Sequence, residues 1–332
     1  MVRFRLYITI VCLCSSLVAQ QYRDIPDVVT KVGTAAANWL KIESGVRAIG
    51  MGGAQVAAGQ GISSVPYNPA SVSFVNGTEF YVSKTNYLVG VSHNVLGFGR
   101  QMTPTDYIGM HLFYLDSGYM EETTPDEPNG TGRQFKVLSI AFSGVYGKTV
   151  TDRLKIGGTL KYIREDIMDV YMQSIAVDVG SNFDTGIFGL ILGMSVSNFG
   201  PEVQFRGQGL SQSVDSNISP DESLHKITDK FPIPLMFRLG LKKDIQLPVQ
   251  GHSVTASIDM INPIDYTVYS GLGVEYNWTD RAFVRLGTHI GHSTAGFSVG
   301  LGVKYSFYTV DMAYVNYGVL SNTLQFSLGY KF

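Results

Sequence analysis

Apolar and polar residues alternate along most of the chain from about residue 76 onward. In the closing stretch "NTLQFSLGYKF", one face carries the bulky side chains Leu324, Phe326, Leu328, Tyr330 and Phe332. The other face carries Gln325, Ser327, Gly329 and Lys331. This period of two is the spacing of a β-strand, whose successive side chains point to opposite faces. The pattern therefore predicts an all-β protein.

The alternating pattern predicts about fourteen strands. They are expected near residues 78–85, 89–101, 106–119, 134–147, 153–164, 173–183, 187–198, 234–245, 252–261, 268–278, 281–290, 296–306, 308–316 and 323–332. An even number of strands is typical of single-chain bacterial membrane barrels. Long connections are expected after the third strand (about 120–133) and the seventh (about 199–233), and tight turns after even strands. This parity favours a barrel with both ends on the periplasmic side.

Two folds fit the alternation: a soluble sandwich, in which the bulky faces of two sheets meet, and a membrane barrel, in which they meet lipid. The polar face mixes Gly and Ser with charged residues, namely Lys155, Lys161, Asp178, Arg238, Lys242, Asp259, Glu275, Arg285, Lys304, Asp311 and Lys331. The bulky face carries aromatic residues toward strand ends, namely Tyr276, Trp278, Tyr305, Phe307, Tyr314 and Tyr330. Such girdles mark the two membrane interfaces. We therefore expect a transmembrane antiparallel β-barrel over residues 76–332.

A barrel of this kind belongs in the bacterial outer membrane, where lipid and lipopolysaccharide would surround it. The terminal Tyr330 and Phe332 are expected to form the signal that the barrel-assembly machinery reads. Residues 1–20 have a basic start and an apolar stretch too short to span a bilayer, as in a secretory signal peptide. They contain both cysteines, so the mature chain would have no disulfide or thiolate site. The net charge of −2 gives no reason to expect a nucleic-acid partner.

Residues 21–75 precede the first strand, and from residue 33 they do not alternate. This stretch is rich in small residues, and a short helix is expected near 35–41. It could be a simple linker, but it is apolar for a linker and lies where a wide barrel needs something to fill its lumen. We therefore expect an N-terminal hatch segment.

Three sequence motifs in this segment carry a family resemblance. "GTAAANWLKI", "GVRAIGMGGAQVA" and "YNPAS" together resemble the amino-terminal region of the PorV/PorQ family, outer-membrane proteins that are linked to type IX secretion and built on a FadL-like fourteen-stranded barrel. The stretch from "HSVTASIDMINP" to "AGFSVGLGVKYSF" is also similar to that family. The chain departs from the family at "GQGISSVPY", which lacks the usual acidic pair and has Tyr67 in place of Trp, and at Ser71, where Gly is common.

The resemblance implies that residues from about Thr34 to Phe74 fold into the lumen as a hatch. The hatch residues that match are Gly45, Arg47, Gly50, Met51, Gly52, Gly53, Asn68, Pro69 and Ala70. In PorV-like proteins the barrel docks secreted cargo, so the first hypothesis is a non-enzymatic scaffold or shuttle for type IX secretion, with secretion components or cargo as partners. In FadL-like proteins the hatch gates a path for hydrophobic molecules. The alternative is therefore a channel for compounds such as long-chain fatty acids.

No motif predicts an enzyme, a cofactor or a metal site. "GMGGA" lacks the spacing and the Lys-Ser/Thr of a nucleotide loop. Serine follows histidine in "GHSTAG" and "GHSVT", but neither is a nucleophile elbow, so a hydrolase using His252 or His292 is a weak alternative. His289 and His292, three residues apart on a predicted strand, would face opposite sides and would not share a metal. Acidic residues in 121–128 and near 165–169 are expected to be solvated loop charges, with cation or lipopolysaccharide binding as the alternative. The loop 206–234 is the first candidate for docking a partner.

Overall fold

The structure is a computed structural model that describes residues 31–213, 223–225 and 228–332. The predicted signal peptide and residues 21–30 of the predicted hatch lie outside the described residues. Within the described ranges, no helix is long and apolar enough to cross a membrane.

Fourteen long strands form one antiparallel sheet. In chain order, β1–β14 are Thr78–Asn86, Ser92–Gln101, Asp106–Asp116, Val137–Thr151, Leu154–Ile167, Val170–Asp184, Leu190–Phe199, Met236–Gln246, His252–Pro263, Tyr269–Trp278, Ala282–Ile290, Phe297–Tyr305, Tyr308–Asn316 and Asn322–Lys331. Each pairs with its neighbours in sequence, and β1 pairs with β14 from Glu79 opposite Lys331 to Asn86 opposite Leu324. The sheet therefore closes on itself and leaves no open edge.

The closed barrel confirms the predicted fold and strand number and excludes the soluble sandwich. Some strand ends differ from the prediction: β4 ends at Thr151 rather than near 147, and β6 begins at Val170 rather than near 173. The reason is that pairing with neighbouring strands fixes strand ends. β5 and β6 pair up to Ile167 opposite Val170, so only a two-residue turn joins them.

Side chains alternate between the lumen and the outer surface. On β14, Leu324, Phe326 and Leu328 are exposed on the outside, whereas Thr323 and Gln325 are buried inside. Most of the predicted polar face follows this rule, but Lys304 and Lys331 are exposed because they lie at strand ends, where Lys331 pairs with Glu79 at 3.4 Å. The exposed outer band is thus apolar, as a lipid-facing surface requires.

The two ends of the barrel differ. At the end where β1 begins and β14 stops, here called the turn end, connections such as 152–153 and 306–307 are short. At the opposite loop end lie the long connections 117–136 and 200–235. The first contains the paired strands Met120–Glu121 and Gln134–Phe135; the second contains Arg206–Gly207, which pairs with β6, and the pair Ser211–Ser213 and Ser223–His225.

Short helices occur only in connections and in the segment before β1, as far as the described residues extend. One α-helix, α1, spans Val46–Gly50. The 3-10 helices are Asn38–Lys41, Ile62–Ser64, Pro69–Phe74, Leu88–Gly90, Gln208–Leu210 and Gly318–Leu320. The helix predicted over 35–41 is therefore one 3-10 turn at the end of that range, preceded by Ala37 in a left-handed conformation (φ 51°).

Candidate functional site

Residues 31–75, here called the luminal segment, enter the barrel at its loop end: Lys31–Thr34 are exposed, and from Ala35 onward most residues are buried inside. Its contacts reach strands all around the ring, largely at glycines that face inward: Gly147, Gly157, Gly180, Gly193, Gly240, Gly271, Gly273, Gly287 and Gly300. A Cβ atom at Gly157 on β5 would overlap the backbone of Pro69, and one at Gly287 on β11 would overlap Gly52. Because β5 and β11 lie on nearly opposite sides of the ring, the segment must fill the lumen between them.

Arg47 on α1 joins the luminal segment to the barrel through paired charges. Its guanidinium donates two hydrogen bonds to the Glu275 carboxylate, at 2.9 and 2.7 Å. Glu275 also accepts from Arg285 at 2.6 Å, and Arg285 donates to Asp311 at 2.6 Å. Two guanidinium groups thus alternate with two carboxylates across β10, β11 and β13. Fork-shaped pairs of this kind are the strong ones among charged hydrogen bonds.

The glycine-rich stretch after α1 lies backbone-to-backbone against the barrel. The N–H of Gly52 donates to Ser298 Oγ at 3.1 Å. Gly52 has a positive φ of 60° and a Cβ there would lie 2.6 Å from Thr288 N, so only glycine fits this approach. Met51 is fully buried, and the backbone N–H groups of Gln55 and Val56 both donate to the Asp259 carboxylate, at 2.6 and 2.7 Å.

Asn68, Pro69 and Ala70 form the start of a 3-10 helix near β5 and β6. The Asn68 side chain accepts from Ala70 N at 3.0 Å and donates to Val56 O at 2.8 Å and Ser181 O at 2.9 Å. One amide therefore caps the helix and ties two parts of the luminal segment to the barrel. Gly45, at φ 94°, lets the chain turn into α1.

The loop end of the segment is held by side chains. Trp39 Nε1 donates to Glu165 at 2.9 Å, and Lys41 pairs with Asp265 at 2.6 Å. Glu43 pairs with His289 Nε2 at 2.9 Å. Burial raises the pKa of the Glu43 carboxyl, but the charge and hydrogen bond of His289 outweigh burial and leave this pKa below its ordinary value.

The lumen has two unlike walls. The polar wall is the inner face of β9–β13, which carries Asp259, Glu275, Arg285 and Asp311. The other wall is the inner face of β1–β5, here called the apolar wall because of its cluster of Tyr81, Val95, Phe113, Leu115, Ala141, Val145 and Ile163. The same face also carries buried polar side chains, among them Glu79, His93, His111 and Thr159. Ile62, Val65, Val72 and Val75 of the luminal segment pack against the apolar wall. One cluster of apolar side chains thus extends from the middle of the lumen to Trp39, Val203 and Ile233 at the loop end.

A cavity of about 50 Å³ lies at the edge of the apolar wall. Its apolar lining is Leu40, Ile42, Val65, Pro66, Phe113 and Ala141; its polar lining includes Ser44, Ser143, His111, Thr159, Lys161, Asp178, Ser197, Asn198 and Arg238. His111 Nε2 and Thr159 Oγ1 are buried and have no hydrogen-bond partner among the described residues. Buried polar atoms normally have partners, so the cavity presents free hydrogen-bonding capacity beside an apolar surface.

A cleft of about 460 Å³ lies above this cavity at the loop end. The cavity and the cleft are lined by successive inward-facing residues of β3 and β4. Phe113 and Ala141 line the cavity, and the next inward-facing residues, Leu115 and Ser139, line the cleft. This step is about 7 Å along a strand. Trp39 lines the cleft and stacks on Phe113, with ring centroids 5.6 Å apart, so this aromatic pair separates the two spaces.

The histidines differ from the sequence-based prediction. His292 lies in the connection after β11, not on the strand, so strand alternation does not apply, and its ring lies 5.7 Å from that of His289. Burial and His289 lower the pKa of His292, whose Nδ1 accepts backbone hydrogen bonds from Thr294 and Ala295. His252 Nδ1 lies 2.5 Å from the Tyr276 hydroxyl. In the described ranges, no group of three or more potential ligands is placed to hold a metal ion.

The matched hatch residues all lie in the luminal segment, but sequence reasoning missed their partners. It placed Glu275, Arg285 and Asp311 on the polar face without linking them to Arg47. The unpartnered His93 and His111 were missed, although their alternation with apolar residues on β2 and β3 places them inside. Tyr330 and Phe332 lie at the turn end, with ring centroids 5.3 Å apart, and their role in barrel assembly stays a prediction.

Comparison with known proteins places the fold. No protein-family model matches the sequence, and no curated protein matches it. Among solved structures, the toluene transporter TbuX of Ralstonia pickettii superposes with a TM-score of 0.56 at 14% identity, over 87% of this chain and 98% of that one. The toluene transporter TodX of Pseudomonas putida gives 0.55 at 13% identity, over 86% and 96%. A FadL homologue of Pseudomonas aeruginosa gives 0.54 at 14% identity, over 88% and 99%.

These similarities define the class of the molecule. The chain is a closed, fourteen-stranded antiparallel β-barrel with a fold like that of the FadL family. This fold is that of bacterial outer-membrane proteins and supports an outer-membrane location. At such low identity the likeness concerns the fold, and fold alone does not fix function.

Proposed function

We propose that the protein is a channel for apolar small molecules, which pass along the apolar wall of the lumen. This was the alternative to a docking role in type IX secretion. The observation that carries the proposal is the continuous apolar surface from the loop-end cleft, past the Trp39–Phe113 pair, to the cavity beside His111. Ligand sites are typically concave and largely apolar with a few polar groups. The cleft and the apolar side of the cavity supply the concave apolar surface, and the polar side of the cavity supplies hydrogen-bonding groups.

The similar structures support the same proposal. Two are toluene transporters, and a third with a TM-score of 0.57 is the monoaromatic hydrocarbon channel CymD. Transfer of that activity to this chain rests on the apolar wall, because the identities of 12 to 14% concern fold. The type IX role rests on the sequence resemblance, and no contact in the described residues favours it. Its cargo and secretion partners, like lipopolysaccharide, stay predictions.

If a ligand passes through the lumen, part of the luminal segment must move. The cavity is too small to hold a ligand with a ring and an alkyl chain, so the path requires displacement of side chains such as Trp39 or of the segment itself. We infer that the apolar wall is where this happens, because the segment meets it through side chains of Ile62 and Val75 rather than through paired charges. Whether the segment opens as a hatch is part of the proposal.

Uptake and secretion distinguish the two functions. The uptake of labelled toluene and of a labelled long-chain fatty acid is measured in a deletion strain. We expect uptake of at least one of the two compounds to fall, while secreted cargo is exported normally. Ala141→Phe fills the step between cleft and cavity and should lower uptake to near the level of the deletion strain. Val177→Phe, which introduces the same side chain at an exposed outer position, is the control. Normal uptake with cargo retained in the periplasm would overturn the channel and restore the docking role.

A further inference from the structure

The outer surface of the barrel carries a groove within its apolar, lipid-facing band. The groove has a volume of about 620 Å³ and crosses β7–β11. One side is a row of paired residues, Leu190, Lys243, Ala256, Val274 and Leu286; the other is the row Leu241, Ile258, Leu272 and Thr288. Cross-strand partners face the same side of a sheet, so both rows point outward. The small Ala256 between bulky neighbours makes the depression.

Lys243 is the cation at the rim of this groove. It is exposed on the outer face, next to Leu241 and Ile245 in alternation. The adjacent Lys242 faces inward and pairs with Asp244 at 3.1 Å, whereas Lys243 pairs with no carboxylate among the described residues. An outward-facing lysine in a lipid-facing band is costly unless its ammonium reaches a polar layer or an anion.

The position of Lys243 supplies that polar layer. It lies three residues before Gln246, where β8 ends at the turn end, so its ammonium is within about 10 Å of that membrane surface. From Leu190 to Leu286 the groove spans four strand spacings, about 19 Å. Because the strands of such barrels tilt by about 35–45° from the barrel axis, this row runs obliquely across the leaflet and can lie along an acyl chain.

Two other grooves on the outer wall lack this charge. The residues that line a groove of about 480 Å³, around Leu96 and Met110, include no lysine or arginine. A groove of about 570 Å³ includes Arg238, but that side chain points into the lumen and donates to Ser197 Oγ at 3.1 Å. Of these three depressions, the one at Lys243 alone combines an apolar floor with an outward cation.

We propose that this groove binds one phospholipid of the leaflet at the turn end, with its phosphate at the Lys243 ammonium and an acyl chain between the two rows. An anionic headgroup complements the lysine, and a hydrocarbon chain complements Ala256, Ile258 and Leu272. The site is separate from the luminal path and does not depend on the proposed channel activity. A phospholipid bound there would be held against one side of the barrel, that of β7–β11.

Native mass spectrometry tests the site. The full chain is reconstituted with phosphatidylglycerol, transferred to a mild detergent, and the fraction that retains one phospholipid is measured. Lys243→Gln should lower retention about fivefold, because one lysine–headgroup contact has roughly that strength. Ala256→Phe fills the groove without changing charge and should lower retention at least as much.

The control is Lys84→Gln, which removes an exposed outward lysine on β1, away from this groove. It should retain phospholipid like the unmodified chain. Folding of each variant is checked by the heat-dependent gel mobility of closed barrels. The proposal is overturned if folded Lys243→Gln and Ala256→Phe retain as much phosphatidylglycerol as the unmodified chain, or if all three variants lose it equally.

Discussion

The polar and apolar walls hold the same luminal segment in different ways. At the polar wall, Arg47 is fixed by Glu275, and the backbone of Gly52 lies directly against β11. At the apolar wall, β2 is met by side chains such as Ile62 and Val75, and the backbone of Pro69 approaches β5 at the edge of this wall. Both ring nitrogens of His93 and Nε2 of His111 are buried and have no hydrogen-bond partner among the described residues. Charged pairs and backbone contacts require fixed geometry, whereas apolar side chains repack at small cost. The polar wall therefore anchors the segment, and the apolar wall is the side at which we propose that a ligand passes.

Removing the central carboxylate should break this contrast most strongly. Glu275→Gln keeps the side-chain shape but leaves Arg47 and Arg285 facing each other with Asp311 as the remaining carboxylate. Breaking a buried ion pair costs about 3–5 kcal/mol, so we expect a much lower unfolding temperature in detergent, measured by gel mobility after heating. Glu122→Gln, whose partner Arg133 is exposed at the loop end, should cost at most about 1 kcal/mol. Equal unfolding temperatures for the two variants would contradict an anchoring role for the polar wall.

A methyl group at Gly287 tests the backbone contact. Gly287→Ala would place a Cβ onto Gly52 N and force the segment away from β11. Overpacking of this kind costs about 1–3 kcal/mol, and we expect in addition a larger single-channel conductance in planar bilayers, because the lumen is less completely filled. Gly144→Ala is the control, since a Cβ there meets no atom within 4 Å. Unchanged conductance and stability in Gly287→Ala would show that the segment adapts without loss.

The barrel was predictable from sequence, and the luminal contacts were not. Alternation is a local signal, so all fourteen strands could be located, and the errors at β4 and β6 arose because partner strands set their ends. The luminal contacts join distant residues: Arg47 and Glu275 are 228 positions apart, and Gly52 and Ser298 are 246 apart. A single sequence carries no signal for such pairs. The sequence shows where the glycines of the strands are, but only the folded barrel shows that they face inward and contact the luminal segment.

The smallest expected effect on stability concerns the polar edge of the apolar wall. Thr159 Oγ1 is buried beside the cavity and has no hydrogen-bond partner in the described part of the chain. Thr159→Val replaces that hydroxyl by a methyl group of similar shape, and removing an unsatisfied polar atom should be neutral or stabilise the barrel by up to about 1 kcal/mol. If the hydroxyl serves to bind a ligand, its loss should also weaken the binding of a hydroxylated aromatic compound by about fivefold, which corresponds to the free energy of roughly one hydrogen bond. Binding of the parent hydrocarbon should not change.

Quenching of Trp39 fluorescence on titration with phenol or toluene, in a Trp278→Phe background that removes the second tryptophan, measures this difference, because Trp39 lies where the cleft meets the cavity. Thr85→Val is the matched control: its hydroxyl is also buried and unpartnered, but it does not line the cavity. Equal weakening of phenol and toluene by Thr159→Val would mean that the substitution disturbs the shape of the apolar wall. A loss of stability well above 1 kcal/mol would mean that the hydroxyl has a structural partner. Selective weakening of phenol would assign the unpartnered polar atoms of the apolar wall to ligand recognition, the counterpart of the paired charges that the polar wall uses for anchoring.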